Sequence, residues 1–238
     1  MIEVRELTKR FGDFVAVDHV SFKAERGECL ALLGPNGSGK STALKCIVGL
    51  SLPTSGQILI GSEEERRLGN PQKLISYLPQ RVDFHRCLTA GEILEFYCRL
   101  RNVPLARIDD VLHRSEFDFN GFAAKRVSDL SGGMVQRLGL AVSCLPDAPI
   151  LLLDEPTVSL DPKGAVTFRH FLKRLRNEGK TIVFTSHMLT DVIELADRVA
   201  VLVSGKLVAI ERVAELKKEL DRTGRTLEDV YLDYAEGK

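Results

Sequence analysis

The sequence predicts an α/β fold with a β-rich beginning and a helical insertion, and three observations carry that prediction. Residues 29–33 and 150–153 are continuous apolar runs of strand length, the pattern of strands covered on both faces. After residue 150, strand and helix patterns alternate, as a layered α/β core requires. Between about residues 81 and 148 the apolar spacing is helical instead. A chain of 238 residues is long enough for one large domain or two small ones around a sizeable buried core.

Taken in order, residues 2–7 alternate and residues 15–22 are β-rich, which predicts two strands. The run at 29–33 predicts a third, ending at Gly34. Residues 40–50 have helical spacing, with Pro53 as the stop. Residues 57–60 and 74–78 predict further short strands. Thr89 with Glu92 three positions on is a capping box ahead of Ile93, Leu94, Phe96 and Tyr97, so a helix starts there. Residues 105–114 and 132–145 are also helical in spacing. Strands are expected at 150–153, 181–185 and 199–203, with helices near 163–178 and 188–196 between them. Near the end, Thr226 reads as an N-cap before Leu227, Val230, Tyr231 and Tyr234, which share one helical face.

The formal net charge is zero, which argues against nonspecific nucleic-acid binding. The opening Met1-Ile2-Glu3 has neither a basic start nor a long apolar stretch, so no signal peptide is expected. No apolar run approaches the ~20 residues of a membrane span. The five cysteines are scattered and odd in number, which suits reduced thiols better than a disulfide framework or a zinc site.

Gly34-Pro35-Asn36-Gly37-Ser38-Gly39-Lys40-Ser41 fits G-x-x-x-x-G-K-[ST] between an apolar strand and a helix. The glycines let the backbone turn inward so that successive N–H groups point at one spot, and the helix start adds positive dipole there. Lys40 can reach β- and γ-phosphates, and the Ser41 hydroxyl can ligate a Mg²⁺ that bridges them. The strand at 150–153 ends in Asp154-Glu155. Ligands of doubly wound sheets sit beyond the carboxyl ends of strands. Asp154 is therefore placed to hold Mg²⁺ through its water shell, and Glu155 to polarise a water towards a γ-phosphate.

A second anion-binding helix start lies nearly ninety residues after the first. Ser131 is a good N-cap, and Gly132 and Gly133 expose backbone N–H groups at a helix start. Alone, Ser-Gly-Gly reads as a capped helix. The longer stretch Leu130-Ser131-Gly132-Gly133-Met134-Val135-Gln136-Arg137 resembles the signature sequence of ATP-binding-cassette (ABC) ATPases. Tyr77-Leu78-Pro79-Gln80 resembles the family's glutamine loop, Asp154-Glu155-Pro156-Thr157 its Walker B region, Ser159-Leu160-Asp161 its D-loop, and Thr185-Ser186-His187 its switch histidine. The resemblance covers roughly residues 2–210. It implies a P-loop NTPase core with an antiparallel β subdomain and an inserted helical subdomain. The implied ATPase domain is 1–220, with the helical subdomain at about 81–148, and a C-terminal tail follows at 221–238.

The resemblance also implies roles. Phe11 sits where the family places an aromatic on adenine. Val17, Gly34, Pro35, Asn36, Gly37, Ser38, Gly39, Lys40, Ser41 and Thr42 are the implied nucleotide contacts. Glu155, His187 and Gln80 are the implied catalytic residues, and Ser41, Gln80 and Asp154 the Mg²⁺ set. Ser131, Gly132, Gly133 and Gln136 are implied to bind ATP held by a second subunit in a head-to-tail homodimer, or by a paired ABC subunit, with Asp161 at the seam. Ser159 stands where many members have Gly.

ABC ATPases without their own membrane span mostly dock on a separate integral membrane permease, which implies a cytoplasmic protein peripheral on the inner face of the membrane. Residues 81–89 are where such docking usually falls. Phe84 and Leu88 either line a groove for a partner helix or face the core. The tail 226–234 resembles that of ABC-2-type exporter ATPases. Residues 77–84 and 155–158 further resemble ATPases of copper and nitrous-oxide-reductase maturation systems. A soluble ABC-type assembly ATPase without a permease is the alternative. No nucleic-acid partner is expected.

Overall fold

The computed structural model describes residues 1–238 except 68, 116–118, 120, 225, 227, 228, 230–232 and 234–238. The chain opens with β1 (Ile2–Phe11) and β2 (Phe14–Ala24), then β3 (Cys29–Leu33) and helix α1 (Lys40–Val48). Next come β4 (Ser55–Ile60), the short α2 (Glu63–Arg67) and β5 (Ile75–Leu78). Helices α3 (Ala90–Leu100), α4 (Ala106–Ser115) and α5 (Gly132–Cys144) follow in succession. The chain then alternates through β6 (Ile150–Asp154), α6 (Pro162–Asn177), β7 (Thr181–Ser186), α7 (Leu189–Leu195) and β8 (Arg198–Val203). Strand β9 (Lys206–Arg212) and α8 (Val213–Thr223) close the described elements.

The central sheet has the order β5-β6-β7-β3-β8-β9. Pairing is parallel from β5 through β8, and β9 returns antiparallel to β8. A second, antiparallel sheet has the order β2-β1-β4. The apolar run of β3 is explained by what covers it. Cys29, Ala31 and Leu33 point into a core with Leu94 of α3, Leu138 of α5 and Phe168 of α6. Leu30 and Leu32 point the other way, into a core with Val4 of β1, Phe22 of β2 and Leu44 of α1. A period-two strand that is buried on both sides has no polar positions to alternate.

Local signals set several boundaries. Thr89 Oγ1 accepts from Glu92 N, and Thr89 N donates to Glu92 Oε2, so both halves of the expected capping box are present at α3. Helix α1 stops before Pro53, because Gly49 takes a left-handed φ of 86° and donates to Cys46 O. Strand β1 runs past residue 7 to Phe11, where it pairs with Phe14 across Gly12-Asp13. Strand β9 and helix α8 were not expected from the sequence. The alternation of residues 206–212 is mostly half-buried and therefore faint. At the tail, Asp229 N donates to Thr226 Oγ1 at 3.2 Å. The apolar face expected of Leu227, Val230, Tyr231 and Tyr234 lies outside the described residues. All five cysteines are free, and four of them are buried.

Candidate functional site

Four neighbouring parallel strands end at one edge of the sheet, and each delivers a candidate residue there. Gln80 follows β5, Asp154 ends β6 with Glu155 next, His187 follows β7, and the loop 34–39 follows β3. The carboxyl edge of a parallel sheet is where helix starts and loops leave room for a ligand.

The loop at Gly34 is built against two other strands. A Cβ at Gly34 would stand 2.3 Å from Leu202 O. One at Gly39, whose φ is +100°, would stand 2.3 Å from Ala16 O. Neither position can carry a side chain without displacing backbone. Gly39 N-caps α1, so its first N–H groups face the loop's concavity. Ser38 Oγ is buried there without a hydrogen-bond partner. An orphan hydroxyl beside a glycine-lined helix start is the chemistry that suits phosphate oxygens.

Lys40 is 5% exposed, and its Nζ donates to Gly34 O at 2.8 Å and Pro35 O at 3.0 Å. It stands 3.7 Å from Glu155 Oε1. Burial lowers the Lys40 pKa, against the opposing pull of the Glu155 and Asp154 carboxylates. Ser41 Oγ donates to Asp154 Oδ1 at 2.8 Å, and Thr185 Oγ1 donates to the same oxygen at 2.7 Å. Glu155 is buried with φ at +49°, a strained region for a side chain of that length. Its N–H donates to Thr185 Oγ1 at 2.8 Å, which anchors the strained turn. His187 Nδ1 lies 2.6 Å from Glu155 Oε2. The contact joins the His187 ring to the carboxylate, with Nδ1–H donating in the tautomer that carries its proton there.

A cavity of about 360 Å³ is lined by Asn36, Gly37, Lys40, Ser41, Thr42, Gln80 and Glu155, with Phe14 and Ala16 at its side. Of the expected nucleotide residues, Asn36 to Thr42 line this cavity, Gly34 and Pro35 line a second one with His187, and Val17 and Phe11 line neither. Val17 is fully buried and packs beneath Gly39, a correction to its expected ligand contact. Phe11 is 54% exposed, but its ring carries Lys9 Nζ at 4.8 Å, and Phe14 is the aromatic lining the cavity. Phe14 was missed. Its signal was the two-residue turn in Phe11-Gly12-Asp13-Phe14, which makes the rings cross-strand neighbours.

The second helix start lies elsewhere. Ser131 N-caps α5, its Oγ accepting from Met134 N at 3.3 Å. Gly132 faces open space, and a Cβ at Gly133 would stand 3.1 Å from Ser159 O. Gln136 departs from expectation. It is 3% exposed, and its Nε2 donates inward to Pro156 O at 3.2 Å, so its side chain is committed within its own chain. Arg137 Nη2 donates to Asp161 Oδ1 at 3.0 Å. Gly132, Gln136 and Ser159 line a separate cavity of about 520 Å³, and among the described residues Gln80 alone borders both cavities. Phe84 is buried in the helical core, edge-to-face with Tyr97 at 5.9 Å, while Leu88 is half-buried. Phe84 packs in that core and also lines two cavities with Val82 and Asp83, so its position fits both alternatives.

A glycine-rich phosphate loop on a parallel sheet, with an acidic pair ending the neighbouring strand, defines a P-loop nucleotide-binding protein. The family model for ABC transporters matches residues 17–158. The probable multidrug ABC transporter ATP-binding protein YbhF of Escherichia coli is 36% identical over 227 residues, covering 92% of this chain and 38% of YbhF. The sulfate/thiosulfate import ATP-binding protein CysA of Mycobacterium tuberculosis is 38% identical over 211 residues, covering 87% of this chain and 60% of CysA. Both relatives are longer than the part this chain spans. The dimeric structure of the ATP-binding cassette MJ0796, in a post-hydrolysis state bound to ADP and Pi, superposes with a TM-score of 0.78 at 28% identity, covering 90% of this chain and 99% of that one. The chain belongs to the ABC transporter family, as an ATP-binding subunit. Among the described residues no helix is long and apolar enough to cross a membrane.

Proposed function

We propose that this chain binds Mg²⁺-ATP and hydrolyses it as one half of a head-to-tail pair. The observation that carries the reading is the convergence of Lys40, Glu155 and His187 at the mouth of the phosphate loop. Lys40 exchanges its loop carbonyls for phosphate oxygens. Ser41 and Asp154 would hold Mg²⁺, with Gln80 at the rim, and the ion would supply charge neutralisation for the phosphates there. Glu155 accepts the proton of the attacking water as that oxygen bonds to the γ-phosphorus and ADP departs. His187 holds the carboxylate in place through Oε2 and leaves Oε1 facing the cavity.

The second cradle supports pairing. Ser131 and Gly132 are exposed at a helix start outside the chain's own phosphate cavity, so their anion comes from another subunit. MJ0796, dimeric with ADP and Pi, supports the same arrangement here. Residues 1–220 form the ATPase unit, with about 81–148 as its helical subdomain and 221–238 as a tail. The pair drives a separate integral membrane permease from the cytoplasmic face. The tail and the short segment between Gln80 and Ser131 favour export. The test is direct. Purified protein hydrolyses ATP in the presence of Mg²⁺, and Glu155→Gln abolishes turnover while ATP still binds. Undiminished turnover in Glu155→Gln overturns the reading. Co-fractionation with a polytopic subunit separates this from a soluble assembly ATPase.

A further inference from the structure

Asp191 is a buried carboxylate that the reading above does not use. It is 2% exposed, on the first turn of α7, four residues after His187. A carboxylate this deep is costly unless paired and hydrogen-bonded. Arg169 of α6 supplies the pairing, donating from Nη1 to Asp191 Oδ1 at 3.0 Å. The other oxygen, Oδ2, accepts from Thr157 Oγ1 at 2.5 Å. Charge neutralisation does not require that second bond, so its partner is informative.

Thr157 is itself buried and lies two residues after Glu155. It belongs to a tight turn in which Val158 N donates to Glu155 O and Leu160 N donates to Thr157 O. The turn delivers Asp161 to the start of α6. One carboxylate therefore joins three pieces: the turn bearing Glu155, the helix after His187, and α6. We infer that Asp191 is a positioning residue: through Thr157 it holds the Glu155 turn against the His187 loop and so keeps the 2.6 Å contact between those two side chains. The lysine and serine of the phosphate loop make none of these bonds, so ATP binding does not depend on them. The effect on turnover rests on the ATPase reading above, whereas the effect on the Glu155–His187 contact does not.

Removing Asp191 leaves the largely buried Arg169 with Glu194, 3.2 Å from its Nε, as its acidic partner and disturbs a buried ion pair, so Thr157→Val is the cleaner variant. It deletes one hydroxyl at nearly constant volume and leaves the Asp191–Arg169 pair intact. The first readout is the His187 ring Nδ1–H resonance in nucleotide-free, nitrogen-15-labelled protein. It is hydrogen-bonded in the parent, shifts in Thr157→Val, and returns in Thr157→Ser, which restores the hydroxyl. The second is a split in kinetics. In Thr157→Val, kcat falls about tenfold, the scale of a small misplacement of reacting groups, while the Kd for ATP stays within about twofold and Thr157→Ser recovers the rate. An unshifted His187 resonance in Thr157→Val overturns the inference, as does a rate loss that Ser does not rescue. A parent protein without ATPase activity would instead overturn the function proposed above, and the resonance would still decide the role of Asp191.

Discussion

Lys40 is the side chain whose removal is easiest to read. In the nucleotide-free protein it is occupied by Gly34 O and Pro35 O, with Glu155 near, and burial depresses its pKa. A bound phosphate adds negative charge and favours the protonated form. Lys40→Ala deletes a charge-assisted contact of about 1.5–3 kcal/mol. Calorimetric titration should then find ATP affinity down at least about tenfold, and turnover should vanish. Near-normal hydrolysis by clean Lys40→Ala protein would take the residue out of the cradle. The two hairpin rings give a second test. Stacking has no donor–acceptor code, so ATP and GTP should be discriminated weakly by either ring. Phe14 lines the cavity while Phe11 has Lys9 against its face. Phe14→Ala should raise KM for ATP more than it lowers kcat. If Phe11→Ala alone does so, the base lies on the outer side of the hairpin.

Helices α3 and α5 set the element scale. The capping box at Thr89 satisfies donors at the start of α3, and Ile93 and Leu94 on that helix are in the core. Thr89→Ala should cost about 1 kcal/mol in urea unfolding, with no change in slope. Phe84 also belongs to this layer. Phe84→Asp forces a charge into the helical core beside Tyr97, and should destabilise by at least about 3 kcal/mol. Leu88→Asp, at a half-buried position, should leave the fold intact and, on the proposed function, weaken attachment to the proposed permease. Retention of that partner by folded Leu88→Asp protein would move the docking surface elsewhere. Helix α5 is bound to the segment after Glu155 by Gln136 to Pro156 O and Arg137 to Asp161. The second cradle therefore moves with the segment that follows Glu155.

At the scale of the molecule, each chain presents two cradles that face different cavities. On the proposed mechanism, Glu155→Gln keeps the volume but removes a carboxylate from the γ-phosphate's side, so it should block water activation and reduce repulsion of ATP. The two halves should close on ATP and stay closed. Light scattering during size-exclusion chromatography should find a monomer without nucleotide and a dimer of Glu155→Gln protein with ATP. Adding Ser131→Arg should abolish the dimer and leave ATP bound to the phosphate loop, because the bulky cation occupies the place of the partner's γ-phosphate. A dimer that survives Ser131→Arg would mean that the second cradle holds something else.

The local signals were legible in neighbouring residues alone. The apolar runs of β3 and β6, the Thr89–Glu92 box and the order of motifs are written in neighbouring residues, because helix and strand periods and capping act over a few positions. Tertiary structure decided what those residues meet. The order β5-β6-β7-β3 brings Gln80, Asp154, His187 and Lys40 to one edge, and no local pattern encodes which strands become neighbours. It turned Val17 under the loop and Gln136 onto Pro156, since a side chain's direction depends on the packing around it. It also placed Phe14 at the cavity and Asp191 between Thr157 and Arg169. A buried carboxylate and a surface one look alike in sequence. Burial and partners separate them, and both are properties of the folded chain.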